Sequence, residues 1–384
     1  MSALADRDIR FGDNTIAMAP NVVRQLGATR VLVVCGKNSF TASGAEAIVP
    51  ELENVAQVRR WNDFRANTDA ADLIVGLRIV EEFQPDAILA VGGGSAMDMA
   101  KLLCGYRGVT DKKLLEDAIR AGGTVSRTNT ALILAPTTSG SGAEATHFGV
   151  VYIGADKYSI GGPTILPDVV LLDPSLTLSG SDYQRATSGV DALAQAIEAL
   201  WAVDATDESH AFALQALPLL AGSLEAYVKS PSAKAARDMA LGSYLAGRAI
   251  DIAKTTAAHA LSYGITKTYG LSHGHAVAVT LGSFIEQHAE ASASRLQDAV
   301  DPMAHRQAMD EVLAALGAAN AAEAKESWAE LLQRIGLDAS LTNAGARRTE
   351  DRHKLANSVN LDRLGNNPVK FTLDELAELL IDLP

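Results

Sequence analysis

The sequence predicts an α/β domain built on a doubly wound parallel sheet, followed by an all-helical domain. Three observations carry this. In the first half, short continuous apolar runs alternate with helical patterns, as strands covered on both faces do. Two of those runs lead directly into glycine-rich turns. From Ser181 onward the strand signals fade and apolar residues recur every three or four positions. A chain of 384 residues is also too long for one small core. The break is expected after the last strand, near Ser175–Ser181, giving domains 1–178 and 179–384.

The strands come in order. Arg30–Gly36 (RVLVVCG) is a β-rich run ending at glycine, and Asp86–Gly92 (DAILAVG), Thr130–Ala135 (TALILA) and Val169–Leu172 (VVLL) repeat the arrangement. In such sheets ligands bind at the carboxyl ends of the strands. After DAILAV come Gly92, Gly93, Gly94 and Ser95, then a helix with Asp98 expected in its first turn. Glycines let the backbone approach a ligand, and helix-end N–H groups can receive a pyrophosphate. After TALILA comes PTTSGSG, in which Thr137, Thr138 and Ser141 suit a ribose or a phosphate. One glycine-rich turn often marks only a tight bend. Two, each behind a strand of the same sheet, point to a dinucleotide, although the spacing is not G-x-G-x-x-G. The first strand runs into Gly36, Lys37, Asn38 and Ser39 with no carboxylate to accept from a ribose. Lys37 can meet a 2′-phosphate there, which favours NADP over NAD.

In the second half, Val190, Leu193, Ala194, Ile197, Leu200 and Trp201 mark an amphipathic helix. Asp191, Gln195 and Glu198 share its opposite stripe. Further helices are expected over 207–229 (bent at Pro218), 233–253, 275–292, 307–320, 322–335 and 373–382, with Gly365, Asn366, Asn367 and Pro368 forcing a turn before the last.

Hydrophobic content of 48% with 21% charged residues is ordinary for a globular protein. A net charge of −13 argues against nucleic acid or an anionic membrane as partner, and an anionic substrate would need its own local cations. Cys35 and Cys104 lie in apolar runs and read as small buried hydrophobes, not as a disulfide framework. The start, MSALADRDIRFGDN, lacks the basic and apolar regions of a signal peptide, and no apolar run approaches the roughly 20 residues of a membrane span. A cytoplasmic location is expected.

Lys254–Val277 holds three of the eight histidines, His259, His273 and His275. Neutral imidazole is a common ligand for transition metals, though helix-borne histidines often only cap or hydrogen-bond. Asp191 and Gln195, one helical turn apart, can aim at one point. With His259 and His273 they would supply two oxygens and two nitrogens, a set suited to Fe(II) or Zn(II). Taken by itself, Asp191 reads as a charge favoured near a helix N-terminus.

Four motifs, GGGSAMDMAK (92–101), APTTSGSGAEAT (135–146), SGVDALAQAIEAL (188–200) and HALSYGITKTYGLSHGHA (259–276), resemble in order and interval the iron-containing (group III) alcohol dehydrogenase family. The likeness runs from FGDN near the start to NNPV near the end. It implies a Rossmann-like N-terminal domain and a helical C-terminal domain of the dehydroquinate synthase-like kind, with cofactor and divalent metal in the cleft between them. It implies NADPH or NADH, Fe(II) before Zn(II), and a homodimer. Position by position, it marks Asp191, His259 and His273 as metal ligands, sets Gly92 to Ser95 against the pyrophosphate, and sets Thr137, Thr138 and Lys157 near the nicotinamide. Two departures stand out. Gln195 replaces a histidine usual in the family, so the fourth ligand becomes a weaker amide oxygen. Tyr263 replaces a histidine often discussed as a proton relay. His275 would line the substrate pocket.

Within the family, EATHFGVVYIGADKYSI, DALAQAIEALW and VNLDRLGNNPV look most like the phosphonoacetaldehyde reductase branch. The implied reaction reduces phosphonoacetaldehyde to 2-hydroxyethylphosphonate, with the ion as Lewis acid, hydride from the nicotinamide, and a proton through Tyr263, His275 or a ribose–water chain. Lys157, Lys254, Arg363 and Lys370 are candidate donors to the phosphonate, and His147 is counted with the substrate residues. Rival readings are the same chemistry on another aldehyde, a lyase or cyclase of the dehydroquinate synthase type, and a catalytically dead binding protein.

Overall fold

Strand β2 (Arg30–Cys35) sends Leu32 and Val34 into one apolar core and Val31, Val33 and Cys35 into another. Neighbouring strands alternate in the same way, so a sheet with two covered faces follows. Its strands are β1 (Asp8–Phe11), β2, β3 (Gln57–Trp61), β4 (Ala87–Gly92), β5 (Ala131–Pro136) and β8 (Val169–Leu172), in the order β1-β8-β5-β4-β2-β3, all parallel to their neighbours. The helix Ala70–Phe83 delivers Leu73, Leu77 and Val80 to one core, and Ala19–Gln25 delivers Val22 and Val23 to the other. Each fully buried side chain of this size stabilises the fold by about 1.5–3 kcal/mol. Cys35 and Cys104 are buried within these cores, and neither is in a disulfide among the described residues.

All four expected strands are present with ends within a residue of the expectation. Two edge strands and the antiparallel pair β6 (Phe148–Ile153) and β7 (Asp156–Gly161) are additional. The edges lack a continuous apolar run because only one side of each is paired. In β3, Arg59 and Arg60 turn outward to Glu82 at 3.1 Å and Glu46 at 2.7 Å, which also blunts the edge.

The computed structural model describes residues 7–124, 130–154, 156–346, 348–359 and 361–380. Two compact units divide it, Met1–Gly180 and Ser181–Pro384. In the second unit the main helices are Asp182–Trp201, Asp207–Lys229, Ala233–Ala253, Ala257–Tyr269, His273–Ala289, Pro302–Ala315 and Ala321–Ile335. Thr206 and Ser232 cap the second and third at their expected starts. The helix expected over 307–320 instead starts at Pro302, because the Asp301 side chain accepts from the Met303 N–H and proline fits the first helical position. Residues 381 and 382 of the last expected helix lie outside the described residues.

The Asp207–Lys229 helix is long and apolar enough by composition to cross a membrane, contrary to the expectation. Half of its apolar window is buried in the fold, with Phe212, Ala216, Leu220 and Leu224 on the buried side, as in a core helix.

One contact decides how the histidine-bearing segment meets the rest. At Gly274 an added Cβ would stand 1.9 Å from the Thr187 carbonyl oxygen and 2.8 Å from the Asp191 Cβ. The obstacles are backbone and a helix-bound Cβ, so the two helices would have to part. Gly274→Ala is expected to destabilise the protein by about 1–3 kcal/mol. The reading is a lower urea midpoint at unchanged slope; an unchanged midpoint would show that the contact is loose.

Candidate active site

The sheet order fixes where a ligand can enter the first unit. From β2 the chain passes to β3 on one side and to β4 on the other, so the carboxyl ends of β2 and β4 flank the topological switch point. Gly36 and Gly92 sit there, with the Gly36 N–H donating to the Val91 carbonyl at 3.0 Å. A Cβ on Gly92 would meet the Ala96 Cβ at 2.7 Å and the Gly36 nitrogen at 3.1 Å, so this close approach requires glycine. Gly93 is the N-cap of the helix Gly94–Gly105, whose first N–H groups open onto the switch point. Lys37 and Asn38 are exposed beside it, and Ser39 begins a short helical turn.

The loop after β5 lies against the loop after β4. The Thr137 N–H donates to the Gly92 carbonyl at 2.8 Å. Thr138 and Ser141 face Gly93 and Gly94, where added Cβ atoms would find them at 3.5 Å and 3.0 Å. Thr137 Oγ1 and Ser139 Oγ are buried without a hydrogen-bond partner among the described residues. Orphaned hydroxyls beside glycine-lined helix N–H groups fit a bound pyrophosphate or ribose. Ser139 was not among the expected residues; burial, which sequence alone does not display, is what marks it. Ser95 Oγ is taken by the Asn67 N–H at 3.0 Å.

Asp98 falls in the second turn of its helix, not the first, because the helix already starts at Gly94. Burial pushes its carboxyl up to about 6 against the opposing charges of Lys101 and Lys157. Lys101 is fully buried and donates to Thr146 O at 2.7 Å, Thr146 Oγ1 at 2.9 Å and Phe148 O at 2.8 Å, tying the loop before β6 to this helix. Lys157 lies half-buried on β7, and His147 sits beside Phe148 and Gly161 at the hairpin's base.

In the second unit, Asp191 and Gln195 on the Asp182–Trp201 helix meet His259 and His273. One ligand atom each of Asp191, His259 and His273 lie within 4.8 Å of one another. His259 Nε2 is 3.4 Å and His273 Nε2 3.9 Å from Asp191 Oδ1. Gln195 Nε2 donates to Asp191 Oδ2 at 3.3 Å. Tautomers follow from the outer contacts. His259 Nδ1 donates to the Glu198 carboxylate. Ser262 Oγ gives its proton to the His259 carbonyl at 2.7 Å, so at 3.3 Å it accepts from His273 Nδ1. Both rings thereby turn Nε2 toward Asp191, and His259 Nε2 is buried without a hydrogen bond among the described residues. Burial alone would lower the His259 pKa, but Glu198 and Asp191 outweigh it and hold it at about 10. The position between these groups is built for positive charge, and its two imidazoles and one carboxylate are a donor set that suits a divalent transition metal.

Tyr263, one turn after His259, stacks on the His273 ring with centroids 6.0 Å apart and planes 11° from parallel. His275 is placed differently. Its Nε2 donates to the Asp338 carbonyl at 2.7 Å and its Nδ1 faces the Tyr183 hydroxyl at 3.4 Å, so both nitrogens are engaged. Lys370 forms an exposed pair with Asp298 at 2.9 Å, the ordinary use of a surface cation. Lys254 and Arg363 are half-buried and close enough for Arg363 to depress the Lys254 pKa, after burial and against the pull of Asp251. Glu198, Ser262 and Gly274 were not among the expected site residues. Glu198 shares the stripe of Asp191 and Gln195, and Gly274 lies between two histidines; those were the available signals.

Residues 6–174 match the iron-containing alcohol dehydrogenase family and residues 185–383 the C-terminal part of the Fe-containing alcohol dehydrogenase family. The chain is 32% identical to phosphonoacetaldehyde reductase of Streptomyces viridochromogenes over 79% of its own length and 77% of that protein. It is 36% identical to long-chain-alcohol dehydrogenase 1 of Geobacillus thermodenitrificans over 67% of its length and 66% of that protein. Its fold is similar to that of sulfoacetaldehyde reductase from Bifidobacterium kashiwanohense, solved with NAD+, with a TM-score of 0.86 and 26% identity over 97% of this chain and 96% of that one. Matched through both of its units, the chain belongs to the iron-containing alcohol dehydrogenase family.

Proposed function

We propose that this enzyme reduces a small aldehyde bearing an anionic group, phosphonoacetaldehyde first, to the corresponding alcohol. The observation that carries the chemistry is the convergence of Asp191, His259 and His273 on one point. For the substrate, support comes from two relatives, a phosphonoacetaldehyde reductase and a sulfoacetaldehyde reductase, both named for short aldehydes that carry an oxyanion.

In this reading Asp191, His259 and His273, with Gln195 alongside, hold a divalent cation, Fe(II) before Zn(II). Gly92 to Ser95, Thr137, Thr138 and Ser141 hold the cofactor's phosphates and ribose. When bound, the cation polarises the aldehyde and the dihydronicotinamide provides hydride. The chain's own part is positioning and proton supply. Tyr263 Oη gives the proton that completes the product hydroxyl, in the place of the family's usual histidine. His275, engaged at both nitrogens, shapes the pocket. Lys157, with Thr137 and Thr138, would lie near the nicotinamide, and Asp98 is a further cofactor residue. Lys37, exposed at a strand end whose sequence, CGKNS, carries no carboxylate, favours NADPH, whereas the solved relative holds NAD+. The resemblance further implies a homodimer, and a cytoplasmic location belongs to the same reading.

For the anionic group, Lys254 and Arg363 are the paired cations. Lys254 is held unusually: its φ of 63° and ψ of −168° belong to backbone that glycine adopts, and the Asn366 side chain donates to the carbonyls on either side of it, Ala253 at 2.7 Å and Thr255 at 3.1 Å. An enforced conformation at a half-buried cation beside an arginine suits an anion-binding role. His147 is retained as a further substrate residue.

Three outcomes test the reading. In protein stripped of metal and reloaded with Fe(II) or Zn(II), oxidation of NADPH and NADH is followed with phosphonoacetaldehyde, sulfoacetaldehyde and uncharged short aldehydes. The anionic aldehydes should exceed the uncharged ones in kcat/KM by about tenfold or more, the worth of one charge-assisted contact; equal rates would defeat the anionic reading. Arg363→Ala and Lys254→Ala should each raise KM for the anionic aldehyde by about tenfold with kcat little changed, and the pair is dismissed as a subsite if neither does. Tyr263→Phe should lower kcat by about 10²–10⁴ while KM holds; an unaltered kcat assigns the proton elsewhere.

A further inference from the structure

Behind the cation cluster lies a fully buried carboxylate. Glu198 follows Asp191 on the same helix and is wholly inaccessible. Its Oε1 accepts from Thr256 Oγ1 at 2.8 Å, the Ala258 N–H at 2.9 Å and the His259 N–H at 3.4 Å; its Oε2 accepts from His259 Nδ1. Thr256 is the N-cap residue of the helix Ala257–Tyr269 yet makes no side-chain cap bond, and its hydroxyl instead accepts from Trp201 Nε1 at 2.9 Å. The cap therefore comes from another helix. Glu198 satisfies the first N–H groups of the His259-bearing helix, favours its positive end, and fixes the imidazole's tautomer with the same side chain.

We propose that Glu198 is a positioning residue that sets the affinity of the Asp191–His259–His273 cluster for a divalent cation. It does so by locking the start of the His259 helix and holding the ring as the Nδ1–H tautomer, Nε2 toward Asp191. All its partners are donors, so an acceptor-only group is required. An amide of the same shape cannot replace it. With its oxygen on the cap, its NH2 faces Nδ1 and drives the ring proton onto Nε2. Turned over, its NH2 faces three donors. This inference rests on the cation reading of the cluster but not on the substrate.

The test is Glu198→Gln, with Co(II) as the probe, titrated into metal-free protein against a chelator of known affinity. The Kd should weaken by about 10–100-fold, as loss of a partner behind a ligating histidine does, and the visible cobalt bands should shift, while circular dichroism and the Tm of the metal-free protein stay near wild type. A Kd within about threefold of wild type, against that 10–100-fold expectation, would overturn the proposal. In a His259→Ala background the Gln substitution should have no further effect on Kd; an additive loss would mean that Glu198 does not act through His259. If Glu198→Gln does not fold, Thr256→Val keeps the buried charge, removes one donor, and should still weaken the Kd by about threefold or more, a fraction of the full effect. Wild-type protein that bound no Co(II) would overturn the cation reading and this proposal together. Failure to reduce anionic aldehydes with Co(II) binding intact would overturn only the substrate reading.

Discussion

Two buried carboxylates on one helix, Asp191 and Glu198, with an imidazole between them, set the terms for the helical unit. Buried negative charge is costly unless paired and hydrogen-bonded. Glu198 is answered by four donors and Asp191 by Gln195 and the two histidine edges. The packing follows from that need. Gly274 lets the His273 helix approach the Asp182–Trp201 helix closely enough for His273 to reach Asp191, and Ser262 orients the ring once it arrives. The turn at Asn366 and Asn367 steadies the same region from the far end of the chain. Asn366 binds the backbone at Asp204, Ala253 and Thr255, and Asn367 accepts from His288.

The sheet unit solves a different problem, which is to leave backbone donors uncovered. Paired strands exhaust their N–H groups along the ladder, whereas strand ends and a helix start such as that at Gly94 still have donors to offer. Glycines at 36, 92, 93 and 94 keep side chains off that surface, and Lys101 anchors the adjoining loop from beneath. The two units thus use opposite means: one gathers side-chain charge, the other clears side chains away.

Much of this was legible in the sequence. The central strands were readable because burial on both faces leaves an uninterrupted apolar run. Edge strands β1 and β3 were not, because DIRF and QVRRW carry the charges that protect an edge. The helices capped by Thr206 and Ser232 were found to the residue, whereas the Asp301–Pro302 start was passed over for a later apolar pattern. The triad Asp191, His259 and His273 came from residue chemistry and from motif likeness. Glu198 could be placed on the right stripe but not given a task, since its partners lie about sixty positions away and only folding joins them. His275 shows the converse: a histidine in a suggestive motif whose nitrogens are engaged by a carbonyl and a tyrosine.

Lys254 shows a backbone conformation held by its neighbours rather than by its own preference. Its backbone occupies a region that costs a non-glycine residue roughly 1–3 kcal/mol, and the Asn366 amide that bridges its flanking carbonyls leaves it little choice. Glycine at 254 would relax the chain and strengthen the fold. Under the anion-binding role proposed for Lys254, stability and substrate affinity pull in opposite directions at this position, so a search for hardier variants would be drawn to replace a residue that the proposed subsite uses.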